Sequence, residues 1–176
     1  AHTGISVTAG HDYQLSLWLK GTSNMGATIA LYGCSATNGS RNTLAGANIA
    51  SISGTMTKYT VTLTPTASDS DACLFIGGAG IGDLWIDQIS LMPLDASEVS
   101  CGGWRTDFVE SLRALDPGAL RWPGGILSDW YDWEDAIGAE KDLRKPLYFA
   151  QWNATWMSND VGIDEFLQLC EYLDIH

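Results

Sequence analysis

Tyr13-Gln14-Leu15-Ser16-Leu17-Trp18-Leu19-Lys20 alternates without a break. Tyr13, Leu15, Leu17 and Leu19 fall on one side, and Gln14, Ser16, Trp18 and Lys20 on the other, so the stretch predicts a β-strand with one buried face. Trp18 then stands on the outer surface of a sheet, where an aromatic plate is unusual unless something stacks on it. Ile5 to Gly10 leads into this strand, and Thr28 to Tyr32 repeats it, with Ile29 and Leu31 inward and Tyr32 outward. Lys58 to Thr64, Cys73 to Ile76 and Leu84 to Leu91 supply further strands, with Asn38-Gly39 and Gly77-Gly78 as turn signals. Short strands joined by turns, with hardly any helical periodicity, predict an antiparallel β-sandwich over residues 1–94.

The pattern changes after Pro93. Asp95-Ala96-Ser97 and Cys101-Gly102-Gly103 read as a linker. Phe108, Val109, Leu112 and Leu115 then recur at helical spacing, and Pro117-Gly118 ends that helix. In Ala119-Leu120-Arg121-Trp122-Pro123-Gly124-Gly125 an apolar approach leads to a charged residue, an aromatic and a sharp stop. This is the pattern of a short buried strand that carries Arg121 to a rim. Arg121 in that place suits hydroxyls or a carboxylate; an ordinary ion pair on a loop is equally consistent with the spacing. Asp164 to Leu173 is a second amphipathic helix. The order of helix, strand and helix over residues 95–176 predicts βα units, and the sequence stops at Asp174-Ile175-His176, where a barrel would need its next strand.

Bulk properties narrow the partners. Across 176 residues the net charge is -12 and the pI near 4.3, which argues against nucleic acid or an anionic membrane. No apolar run approaches a membrane span, and no leader opens the chain; its abrupt start at Ala1-His2-Thr3 reads as though a leader or first strand had been removed. Eight Trp and six Tyr suit surfaces that stack on sugars. Cys34, Cys73, Cys101 and Cys170 allow three complete pairings, and for at least two of them a buried free thiol is the expected state. His2, His11 and His176 are too scattered for a nucleophilic triad or a metal centre. Trp130, Tyr131 and Trp133 are interleaved with Asp129, Asp132, Glu134 and Asp135. Of these, Asp129 and Glu134 are the candidates for local acid chemistry, although most of the cluster is expected on a solvated face. Asp87, in the middle of an otherwise apolar strand, calls for a partner.

Ile5 to Trp18 together with Leu84-Trp85-Ile86-Asp87-Gln88-Ile89-Ser90-Leu91 resembles the jelly-roll carbohydrate-binding modules of polysaccharide hydrolases. That resemblance implies a structural calcium held through Asp87; a plain backbone hydrogen bond is the alternative. Residues 105–112, Leu120 to Gly125, Tyr131 to Gly138 and Gly162 to Leu167 together resemble the opening of the catalytic domain of glycoside hydrolase family 51, the α-L-arabinofuranosidases. The resemblance implies a (β/α)8 barrel with Arg121 supporting the sugar site, and Ile126 stands where the family commonly has an asparagine. It also implies that the two glutamates of retaining hydrolysis, needed about 5 Å apart, lie on strands beyond residue 176. The expected protein is therefore mainly β: a jelly-roll sandwich followed by the first βα units of a barrel. As part of a secreted hydrolase it would bind a poly- or oligosaccharide without cleaving it. Trp18 and Tyr32 are the expected platform, with Arg121, Trp122 and Trp130 as further sugar contacts and no cofactor beyond that calcium. The remainder of the barrel, or a second copy, is a further expected partner. An active glycosidase or endoglucanase on arabinan, xylan or β-glucan, working through local carboxylates or a site completed by oligomerisation, and a non-enzymatic adhesion or structural sandwich are the alternatives.

Overall fold

The computed structural model describes residues 2–22, 24–34, 42–94, 103–149 and 155–175. The chain divides into two compact units, residues 1–95 and 96–176.

The described residues of the first unit form seven strands: β1 (His2–Val7), β2 (Tyr13–Gly21), β3 (Gly26–Gly33), β4 (Thr43–Ile49), β5 (Thr57–Leu63), β6 (Asp69–Ala79) and β7 (Leu84–Pro93). They form a four-stranded sheet in the order β1-β6-β3-β4 and a three-stranded sheet in the order β5-β2-β7, and every pairing is antiparallel. All connections except β3–β4 pass from one sheet to the other, which wraps the chain around a single interior in the manner of a jelly roll. The alternation in β2 is realised as read. Leu15, Leu17 and Leu19 are fully buried and join Val7, Ala27, Ile29, Leu31, Leu63 and Leu74 in one cluster drawn from both sheets. Burying three leucines from one strand contributes roughly 5–9 kcal/mol before entropy is set against it.

Gly77 and Gly78 make no turn. They lie inside β6, opposite Thr28 and Ala27, and are small because of what lies against them. A Cβ on Gly77 would sit 2.8 Å from the Phe75 ring, and one on Gly78 2.6 Å from Met25 Cε. The chain reverses after them, at Gly80 and Gly82, both at positive φ. The Asn38-Gly39 turn lies outside the described residues. Cys34 and Cys73 form a disulfide, with Cα atoms 5.8 Å apart. Cys170 is a buried free thiol, and Cys101 lies outside the described residues.

The second unit contains α1 (Thr106–Leu115), 3-10 turns at Gly125–Asp129, Glu134–Ala136 and Lys141–Leu143, a hairpin of β8 (Leu147–Phe149) and β9 (Thr155–Met157), and α2 (Ile163–Leu173). Both helices fall where the apolar spacing placed them. Val109 from α1 and Leu169 and Leu173 from α2 form a small core, with Trp104, Leu112 and Leu120 against it. The expected barrel strand is absent: residues 119–121 carry no strand, and the described residues of this unit contain no parallel pair. A parallel barrel strand is held by neighbours on both sides, and the described residues supply neither. Leu120 still packs inward, so the apolar half of the motif is used without the ladder.

Candidate functional site

On the sandwich, the outer side of the three-stranded sheet holds Trp18. Its register neighbours are Lys58 on β5 and Asp87 on β7, and it is half-buried between the fully buried Leu17 and Leu19 on the opposite face. Tyr32 lies on the outer side of the other sheet, opposite Cys73 and Thr43, with its ring edge-on to Phe75 at 6.0 Å. The two aromatics expected to form one platform therefore occupy opposite outer faces of the sandwich. Equal strand parity could not reveal this, because β2 and β3 belong to different sheets. Trp85 is the aromatic that the sequence reading missed. It sits opposite Lys20 on β2, two residues along from the Trp18–Asp87 pair, and is 44% exposed. The Lys20 ammonium lies 4.8 Å from its ring centroid. Asp87 is exposed, and its Oδ1 accepts a hydrogen bond from the Gln88 amide at 2.8 Å. Among the described residues no group of three or more His, Cys, Asp or Glu gathers where it could hold a metal ion. A lone, exposed carboxylate that caps its own neighbour does not fit the multi-oxygen shell calcium takes.

In the second unit the Pro-Gly-Gly turn forms as read: Gly124 and Gly125 have φ of 78° and 57°. Arg121 is exposed and folds back beside Gly124, where a Cβ would lie 3.6 Å from its Nε. Trp122 turns inward. It stacks on Phe166 at 5.5 Å and meets Tyr131 edge-on at 6.1 Å, so its ring takes part in the packing under the turn. Its Nε1 and the Tyr131 hydroxyl are buried without a hydrogen-bond partner among the described residues. Trp130 is 43% exposed and stands edge-on to Phe149. The acids of this segment do not converge. Asp132 caps the Glu134 amide at 3.1 Å, Asp135 pairs with Lys145 at 2.6 Å, and Asp129 and Glu134 are exposed.

A different carboxylate is the buried one. Glu165 accepts two hydrogen bonds from Arg144, at 2.8 and 2.9 Å, and one from the Gly162 amide at 2.7 Å. Lys141 stands 3.3 Å away. The Arg144 side chain is only 3% exposed and also donates to the carbonyls of Gly138 and Asn159. Burial opposes the charge on Glu165, but these donors outweigh it and lower its pKa from 4.5 to about 2. Gly162 leaves the room this needs, since a Cβ there would run into the Ala136 carbonyl oxygen.

The family model described as the Alpha-L-arabinofuranosidase 1 domain matches residues 111–176. The chain is similar to the α-L-arabinofuranosidases. Alpha-L-arabinofuranosidase 1 of Arabidopsis thaliana is 28% identical over 177 residues, covering 96% of this chain and 25% of the relative. The extracellular exo-α-L-arabinofuranosidase of Streptomyces chartreusis is 33% identical over 154 residues, 88% of this chain and 18% of that protein. An intracellular exo-α-L-arabinofuranosidase of Bacteroides ovatus is 38% identical over 98 residues, 56% and 18% respectively. The chain thus spans a quarter or less of the length of these arabinofuranosidases. Among solved structures, "CBM4 structure and function" aligns over 52% of this chain and 70% of its own, with TM-score 0.41 and 15% identity. The CBM22-1–GH10 modules of Clostridium thermocellum xylanase 10B complexed with xylohexaose align over 51% and 18%, with TM-score 0.37 and 15% identity.

Proposed function

We propose that this chain is the glycan-binding front part of an arabinofuranosidase-type glycoside hydrolase. Residues 1–94 hold a plant polysaccharide, and residues 95–176 open the catalytic domain. One observation carries this: the similarity to the Streptomyces arabinofuranosidase runs over 88% of the chain, too far to be confined to either unit. Aromatic residues on the sandwich's outer surface supply a stacking surface of the kind sugar binding uses. The isolated chain binds without cleaving, because Asp132 and Asp135 are engaged with separate partners and Asp129 and Glu134 are solvated. Secretion follows in the same reading, since a disulfide in a small sandwich suits an oxidising compartment.

Two measurements on the purified chain test the proposal: depletion by insoluble arabinan, xylan and β-glucan, and hydrolysis of an aryl α-L-arabinofuranoside. Retention by at least one polysaccharide without hydrolysis is expected. Retention by none overturns the binding role. Hydrolysis abolished by Glu134→Gln or Asp129→Asn overturns the non-catalytic one.

A further inference from the structure

We propose that the sugar site is the outer face of the three-stranded sheet, with Trp18 and Trp85 as its two plates, and that its ligand is a neutral polysaccharide. The inference rests on the binding role proposed above and says where that role resides. Register fixes the geometry: Trp18 faces Asp87, and Trp85 faces Lys20, so the indoles are diagonal neighbours across the β2–β7 pair. Diagonal positions lie about 7 Å apart, within reach of large aromatic side chains. Two plates at that separation can engage consecutive parts of one chain ligand, where a single plate would hold one ring only.

The surroundings fit a polyol. Asp87 and Lys58 flank Trp18, and Ser16 lies opposite Ser90 further along the same face. These are donors and acceptors for hydroxyl groups, set beside surfaces for the apolar faces of sugar rings. A polyanion is disfavoured by the chain's net charge of -12. The Lys20 ammonium covers one face of the Trp85 ring, which restricts the indole and leaves its other face for a ligand to stack on. The opposite face is built differently. Tyr32 and Phe75 meet each other edge to face, the Phe75 ring lies over Gly77, and Ala30 between them is already covered at 4% exposure. Those rings are used in closing their own sheet.

The test is affinity electrophoresis through gels containing arabinan, xylan or β-glucan, run on the unmodified chain and on Trp85→Ala, Trp85→Tyr, Trp18→Tyr and Tyr32→Ala. Circular dichroism and thermal midpoints confirm that each variant is folded. Trp85→Ala is expected to weaken binding about tenfold or more, Trp85→Tyr to retain most of it, and Tyr32→Ala to leave it within about twofold. Trp18→Tyr keeps a ring on the inner plate and so reports on the site even if removing that indole unfolds the sheet; a measurable loss is expected. Unchanged binding by Trp85→Ala, or a loss confined to Tyr32→Ala, overturns the assignment while leaving glycan binding intact. An unmodified chain that no polysaccharide retards overturns both.

Discussion

Arg144 shows how much one residue can organise in a unit with a small core. Its guanidinium reaches the carbonyls of Gly138 and Asn159 and both oxygens of Glu165, tying two loops to the first turn of α2. Breaking a buried ion pair by removing one partner typically costs about 3–5 kcal/mol, because the other charge stays buried. Arg144→Ala and Glu165→Gln should each lower the thermal midpoint of this unit, and Glu165→Gln should also change its response to acid. The Glu165 carboxyl has a pKa of about 2 when folded, against 4.5 as the reference value. Its contribution, of order 3 kcal/mol at most, is therefore complete above about pH 4.5 and lost as pH falls toward 2. Circular dichroism melts between pH 6 and pH 3 should show a falling midpoint in the unmodified chain and a flatter one in Glu165→Gln. Parallel curves for the two would remove Glu165 from the account. None of this was legible in the sequence. Glu165 reads as an ordinary first-turn acid of a helix, and Arg144 lies in Asp142-Leu143-Arg144-Lys145-Pro146, a charged run with no period; only the folded loops bring them together.

Among the strands of the sandwich, β7 carries an exposed apolar edge. It pairs with β2 on one side and ends its sheet on the other, and it bears Ile86 at 39% exposure, Ile89 at 51% and Met92 at 47%. Ile86 shares the face of the buried Leu19, so an apolar side chain lies at the rim of the sandwich interior. A bulge at Gln88–Ile89, with Gln88 at φ 47°, interrupts the edge, and Asp87 caps that kink. This blunts an edge that is otherwise long and apolar, but only in its middle. The chain is expected to self-associate with rising concentration through this edge, and Ile89→Lys to reduce that association while preserving the fold. Sedimentation velocity over a concentration series checks it; a chain monomeric throughout, or association that Ile89→Lys leaves untouched, contradicts the assignment. Legibility follows the strength of each element's period. In β2, α1 and α2 large apolar residues recur at unambiguous spacing, and the sequence located them within a residue or two. In β4, Thr43-Leu44-Ala45-Gly46-Ala47-Asn48-Ile49, small residues leave almost no contrast between faces. The strand exists because β3 offers it a register. Residues 119–121 show the converse, a strand-like sequence without the neighbours that would make it one.

At the scale of the whole chain, two separate cores imply two separate stabilities. Among the described residues the sandwich core gathers thirteen buried residues, twelve of them from the two sheets, and it is closed by the Cys34–Cys73 bridge across 39 residues. A loop of that size corresponds to about 4 kcal/mol in the chain-entropy account. Among the described residues the second unit has three buried residues in its cluster, and the Arg144–Glu165 network adds to its ring contacts. A unit built around its own core can act as its own cooperative unit, so scanning calorimetry should give two transitions, the lower one from residues 96–176. The perturbations should separate as well. Acid from pH 6 to pH 3 should move the lower transition, where Glu165 loses its charge. A reductant at constant pH should move the upper one, where the bridge is opened, and leave the lower in place because Cys170 is already a free thiol. A ligand held by the outer face of the three-stranded sheet should raise the upper transition alone, since binding stabilises only the unit that carries the site. A single transition under every condition, or a reductant that shifts only the lower one, would show that the two units do not hold their stability separately.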